Sequence, residues 1–238
     1  METRASRKKK SVIGFFNVCK FYGESDAIVD VSFTISKDDF ALITGPSGAG
    51  KSTVIRIIYM GETISSGSVI VDGMNLLRIT RPQVPLLRRK IGVIFQDFKL
   101  IPSKTVFGNV ALVLEAAGVR SKNIIHDKVM SVLETVGIGD RAASYPPTLS
   151  GGEQQRVAVA RAMVGEPKII LADEPTASLD PEAADAIYQL LQDVHARGTT
   201  VVVTTHDLNL LEKGGTRVIH LKSGRMVSIV NQDVWNGL

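Results

Sequence analysis

The sequence predicts an α/β layered fold with a largely parallel central sheet, an antiparallel β portion and an inserted set of helices. Three observations predict it. The runs "FALIT", "KIILAD" and "TTVVVTTH" are apolar enough to be central strands buried on both faces. "IGFFNVCKFY", "AIVDVSFTI" and "GSVIVDG" alternate more clearly, as antiparallel strands do. From Phe98 to about Pro147, "VFGNVALVLEAAG" and "NIIHDKVMSVLETVG" show helical spacing with glycine stops, after which the sheet resumes. "RVIHL" and "GRMVSIV" read as a late hairpin around Ser223 and Gly224. There are no internal repeats, low-complexity linkers or long heptad segments.

With 238 residues, 44% of them hydrophobic, the chain can bury one sizeable core rather than two independent ones. The expected organisation is a basic tail over 1–11 and a single domain over 12–238, with the helical subdomain inserted at about 98–160. The net charge of +4 is a mild bias, compatible with an anionic surface but not requiring one. Much of it lies in Arg4, Arg7, Lys8, Lys9 and Lys10, read as a solvated terminus, with phospholipid headgroup contact as the alternative. Cys19 is the only cysteine, so no intrachain disulfide can form; a reducing compartment is expected, with Cys19 as a small buried apolar residue. No apolar run approaches the ~18 residues of a membrane span, and no signal-peptide core follows the basic start. A soluble, cytoplasmic chain is the expectation.

Between the first buried strand and a helical run stands "GPSGAGKST", which fits G-x-x-x-x-G-K-[ST]. Gly45, Gly48 and Gly50 lack a Cβ, so the backbone can curl and aim successive N–H groups at phosphate oxygens, at the positive end of the following helix. The residues expected to hold a nucleotide here are Gly45, Pro46, Ser47, Gly48, Ala49, Gly50, Lys51, Ser52 and Thr53. Lys51 would reach the β and γ phosphates, and Ser52 would supply a hydroxyl to Mg²⁺. In "KIILADEP", Asp173 emerges at the C-terminal end of a strand, where ligands of open α/β sheets bind, and is expected to serve the metal largely through water. Glu174 follows, facing where an attacking water would stand, and is the candidate general base.

"LSGGEQQRVAVARA", Leu149 to Ala162, resembles the signature motif of ABC-type ATPases, and the resemblance spans almost the whole chain. It implies a RecA-like P-loop NTPase core with an antiparallel β subdomain and an α-helical subdomain of ABC ATPase type. Ser150, Gly151 and Gly152 offer a hydroxyl and bare backbone amides just before a long helix starting near Glu153, a second anion site, and all four residues are expected to bind nucleotide. A helix cap alone would also produce Ser-Gly-Gly-Glu. A second γ-phosphate site is redundant within one chain, and the family implies a head-to-tail homodimer in which each copy completes the other's ATP site. The same resemblance gives Gln96 contact with Mg²⁺ and the attacking water, and gives His206 contact with the γ-phosphate. It places Ser178 to Asp180 at the dimer interface and stacks Tyr22 on adenine. His126, His195 and His220 match nothing functional. Two departures stand out: Asp38 where the family commonly has glycine, which Asp tolerates by visiting left-handed conformations, and "TAS" before Leu179.

"VPLLRRKIGVIFQDFKLIP", Val84 to Pro102, is similar to the FtsE family of bacterial cell-division ATPases, with Asp97 after Gln96 favouring it. That similarity implies an FtsX-like integral membrane subunit as partner, a peripheral location on the cytoplasmic face of the inner membrane, and indirect action on periplasmic cell-wall hydrolases. ATPase subunits of lipoprotein-release or macrolide exporters share the branch and stay open as the alternative. A soluble ABC ATPase acting on ribosomes or DNA is disfavoured, because neither a second cassette nor a coiled-coil insertion is present.

Overall fold

The computed structural model describes residues 10–207 and 215–231; four members of the basic tail, Arg4, Arg7, Lys8 and Lys9, lie outside them. In chain order the elements are β1 (Ser11–Tyr22), β2 (Ser25–Ser36), β3 (Phe40–Thr44), α1 (Lys51–Ile58), β4 (Ser66–Val71), β5 (Met74–Asn75), α2 (Val84–Arg88) and β6 (Ile91–Ile94). There follow α3 (Val106–Ala116), α4 (Lys122–Thr135), α5 (Gly151–Met163), β7 (Ile169–Asp173), α6 (Pro181–Ala196), β8 (Thr200–Thr205), β9 (Arg217–Lys222) and β10 (Arg225–Asn231). β1 already begins at Ser11, and the Lys10 carbonyl accepts from the Lys37 N–H at 2.9 Å, so the last two residues assigned to the tail belong to the fold.

The central sheet has six strands in the order β10-β9-β3-β8-β7-β6, parallel except where β10 returns along β9. The smaller sheet, β2-β1-β4-β5, is antiparallel. β3 alternates between two cores because successive side chains of a strand face opposite ways. Phe40 and Leu42 enter a core shared with α3 to α6, whereas Ala41 and Ile43 enter one shared with α1 and the antiparallel sheet. β7 and β8 do the same, with Ile170 and Val203 on the first side and Leu171 and Val202 on the second. Burial on both faces is what an apolar run without alternation encodes. β9 does more than form the predicted hairpin, since it also pairs in parallel with β3, Leu42 opposite Val218.

The helices start where the sequence supplies an acceptor for their free amides. Thr105, Ser121 and Asp180 cap α3, α4 and α6 by accepting from Gly108, Ile124 and Ala183. Asp38 adopts φ 61°, the left-handed conformation expected where a glycine is usual. Cys19 is half-buried rather than buried, and its Sγ accepts from the Asp30 N–H at 3.3 Å. His126 pairs with Asp127 on the surface, His195 stands edge-on to Phe40, and His220 Nδ1 meets Thr44 Oγ1 at 3.0 Å.

Candidate nucleotide site

The parallel strands β3, β7 and β8 end side by side, and their C-terminal ends carry the residues singled out above. β3 runs directly into the phosphate loop. Gly45 has φ 145°, and a Cβ there would stand 2.1 Å from the Leu221 carbonyl; Gly50, at φ 99°, would meet the Ala27 carbonyl at 2.6 Å. Side chains at these two positions would therefore displace the loop from the strands behind it. Lys51, on the first turn of α1, is 5% exposed, and its Nζ donates to the Gly45 carbonyl at 2.8 Å and the Pro46 carbonyl at 3.2 Å. The same ammonium lies 3.1 Å from Glu174 Oε1.

Asp173 ends β7 and receives two hydroxyls on one oxygen: Ser52 Oγ at 3.0 Å and Thr204 Oγ1 at 2.7 Å. Glu174 takes the left-handed φ of 49° and is held from three sides. Lys51 pairs with its Oε1, His206 Nδ1 lies 2.5 Å from its Oε2, and its N–H donates to Thr204 Oγ1 at 2.9 Å. A lysine, a partly buried carboxylate and an exposed histidine thus stand in contact at the mouth of the loop. Ser25, Asp26 and Ala27, with Ser47 to Thr53, Gln96 and Glu174, enclose a cavity of about 310 Å³ over that mouth. Tyr22 stands exposed at the end of β1, beside this segment, with the Lys20 ammonium 4.7 Å from its ring centre.

Gln96, exposed after β6, borders both this cavity and a neighbouring one of about 600 Å³ lined by Tyr59, Phe98, Lys99 and Ser178 among others. Burial pushes the Tyr59 hydroxyl above its ordinary pKa. The segment after Gln96 is tied to the helices. Arg161 of α5 donates to the carbonyls of Phe98 at 2.7 Å and Lys99 at 2.6 Å, both residues left-handed at φ 57° and 50°. Burial draws the pKa of that guanidinium below its usual value. Asn109 of α3 accepts from the Ile101 N–H at 2.7 Å and donates to the carbonyls of Ile101, Lys104 and Thr105.

Ser150 caps α5 in a reciprocal box, accepting from the Glu153 N–H at 3.2 Å while its own N–H donates to Glu153 Oε2 at 2.8 Å. That backbone bond and the Arg141 guanidinium hold the Glu153 carboxyl below its ordinary pKa. Of the residues predicted to touch nucleotide, Glu153 is the one whose side chain is turned elsewhere, toward the cap. The Ser150 hydroxyl accepts from the Glu153 N–H in the cap and lies within hydrogen-bonding reach of the Glu153 carboxylate as well. Ser150 and Lys51 belong to different elements, the cap opening α5 and the lysine opening α1, and Ser150 is not among the residues that line the cavity over the phosphate loop. Ser178 is exposed and Asp180 caps α6. Thr204 was not singled out from sequence, although a pair of threonines ending a fully buried strand is a polar signal in a place where valine would pack as well. Arg161 was likewise missed.

The oxygen set of Ser52 and Asp173, one hydroxyl beside one carboxylate with the Gln96 amide at the rim, suits a hard cation that keeps much of its shell for phosphate and water. Residues 28–177 match the family described as ABC transporter. The cell division ATP-binding protein FtsE of Streptococcus pneumoniae is 45% identical over 218 residues, 91% of this chain and 94% of that protein. The FtsE of Bacillus subtilis is 43% identical over 201 residues, 84% and 88% of the two chains. The dimeric post-hydrolysis structure of the ATP-binding cassette MJ0796 bound to ADP and Pi superposes with a TM-score of 0.85 at 38% identity, covering 92% of this chain and 98% of that one. Matched by the family model over residues 28–177 and 43–45% identical to FtsE proteins over most of its length, the chain belongs to the ABC transporter family of ATPases, in its FtsE-type cell-division branch.

Proposed function

We propose that two copies of this chain bind two ATP molecules head to tail, and that binding and hydrolysis drive an FtsX-like integral membrane subunit at the cytoplasmic face of the membrane. The observation that carries this reading is the junction at Gln96. One side of that glutamine borders the phosphate-loop cavity, and the segment that follows it is tied by Arg161 and Asn109 to two helices. A displacement of Gln96 toward the nucleotide therefore has to be carried by those helices or absorbed by breaking these hydrogen bonds. When bound, Mg²⁺ would neutralise charge on the phosphates. Ser52 and Asp173 would hold it, Lys51 would meet the β and γ phosphates, and Glu174 would take the proton of the attacking water, with His206 fixing the carboxylate. Ser150 and the first amides of α5 would complete the other copy's site. Outside the membrane the consequence would be regulated cell-wall hydrolysis. Among the described residues no helix is long and apolar enough to cross a membrane. The name FtsE on its relatives favours the division complex over an exporter.

The groove beside Gln96 is the proposed seat of the membrane partner, suited to a short amphipathic helix. Phe98 and Leu100 are partly buried against the helical-side core, so they contribute packing as well as surface. Asp97 and Lys99 are exposed and paired with each other at 2.5 Å. Phe98→Asp should uncouple the chain from its partner, and Lys99→Glu, which leaves the packing alone, should weaken the same contact. The measurement is co-purification with the FtsX-like subunit from detergent, beside nucleotide binding by the isolated chain. If both variants pull down that subunit at wild-type yield and are stimulated by it, the partner sits elsewhere.

A further inference from the structure

We infer that Thr204 is a positioning residue for hydrolysis, because one buried hydroxyl holds both carboxylate residues of the site in their working places. The inference rests on the proposed roles of Asp173 and Glu174 and adds a residue that those roles do not include.

Thr204 is fully buried, and β8 sets it directly opposite Asp173 of β7 in the parallel register. A threonine hydroxyl has one proton and two lone pairs. Here the proton goes to Asp173 Oδ1 at 2.7 Å, and a lone pair takes the N–H of Glu174 at 2.9 Å. Both capacities are used at once, toward adjacent residues, so the hydroxyl cannot rotate without losing one of them. Ser52 places its own hydroxyl on the same Asp173 oxygen, at 3.0 Å. The carboxylate is thereby fixed through one oxygen, and the other is the one left to meet a metal-bound water.

The bond to the Glu174 amide has a second consequence. Glu174 is a non-glycine residue at φ 49°, a disfavoured conformation that persists only where the surroundings enforce it. The Thr204 carbonyl also faces this N–H, at 3.1 Å, so residue 204 holds the amide side of the turn that aims the Glu174 side chain, while the Glu174 carbonyl accepts from the Ala177 N–H at 3.3 Å. His206, two residues further along the same strand end, then holds the carboxylate itself. Valine has nearly the shape of threonine and would fill the same space, yet it would leave Asp173 with one hydroxyl and the Glu174 amide with the carbonyl alone.

The test compares Thr204→Val and Thr204→Ser, measuring kcat, KM and ATP affinity, with Glu174→Gln as the reference for a missing base. A misplaced base costs about 10²-fold in rate. Thr204→Val should lose 10- to 100-fold in kcat, an order-of-magnitude range from that figure, while KM and the ATP dissociation constant stay within about threefold. Thr204→Ser, which keeps the hydroxyl, should recover most of the rate. Wild-type kcat in Thr204→Val, with Glu174→Gln inactive, would overturn the role of Thr204 and leave the base assignment standing. A serine variant as slow as the valine one would show that the hydroxyl alone does not support turnover, which also overturns a role carried by that hydroxyl. Normal turnover by Glu174→Gln would overturn both readings together.

Discussion

Glu174→Gln is expected to bind ATP at least as tightly as the parent chain and to hydrolyse it about 10²–10⁴-fold more slowly, the range for removal of a general base. The geometry explains why binding and chemistry should separate. The carboxylate lies 3.1 Å from the Lys51 ammonium, the group expected to meet the β and γ phosphates. A phosphate arriving at Lys51 finds a negative charge already beside it, and the amide variant removes that repulsion. Lys51 keeps its place in the variant, because the Gly45 and Pro46 carbonyls hold it independently of Glu174. The backbone turn is also unaffected, since it hangs on residue 204 rather than on the side chain that is changed. Only the proton acceptor is lost. With ATP bound and not cleaved, the proposed dimer should stay closed and elute as such from a sizing column. A variant that hydrolyses ATP normally would show that another group takes the proton.

How much of this was legible in the sequence depends on whether each feature is local. β3, β7 and β8 are legible because a strand buried on both faces is apolar through its middle, with threonine or aspartate only at its ends. β6 is not legible. Its four residues, Ile91–Ile94, are too few for a period, and the basic residues before it and Gln96 after it disguise the run. β9 shows as a hairpin arm, since Ser223 and Gly224 lie beside it, whereas its parallel pairing with β3 joins residues far apart in the chain and leaves no local mark.

The site divides along the same line. Gly45, Gly50, Lys51 and Ser52 are legible because one tight loop needs them at fixed spacing, and Asp173 with Glu174 because a strand end needs no partner to be recognised. The hydroxyl of Thr204 reaches Asp173 across 31 residues, and the Arg161 guanidinium reaches Lys99 across 62. Such contacts exist only once the strands and helices are assembled. Glu153 is the instructive case in the other direction. Its position in Ser-Gly-Gly-Glu suits both a phosphate contact and a capping box, and the fold uses its carboxylate for the cap.

The second large effect concerns the division of the site between two copies. Lys51→Ala should lose nucleotide binding, because a buried ammonium that meets the phosphates is gone and no other cation stands in the loop. Ser150→Arg should bind ATP yet fail to hydrolyse it, because the bulky side chain blocks the start of α5 where the other copy's γ-phosphate would lie. Loss of the Ser150 cap costs about 1 kcal/mol, so this variant should still fold, which its melting curve would report. Each variant alone damages both sites of a symmetric dimer. In a mixed dimer the damage is distributed differently. The lysine-deficient loop faces the blocked helix start in one site, while the intact loop faces the intact helix start in the other.

ATPase activity of an equimolar mixture of Lys51→Ala and Ser150→Arg chains is therefore the most direct measurement of a shared site. Half the dimers should be mixed and half their sites intact, so recovery of up to about a quarter of the parent rate is expected from two inactive proteins. No recovery, with mixed dimers shown to form by differential tagging, would mean that each chain completes its own site and that Ser150 has no partner nucleotide to meet.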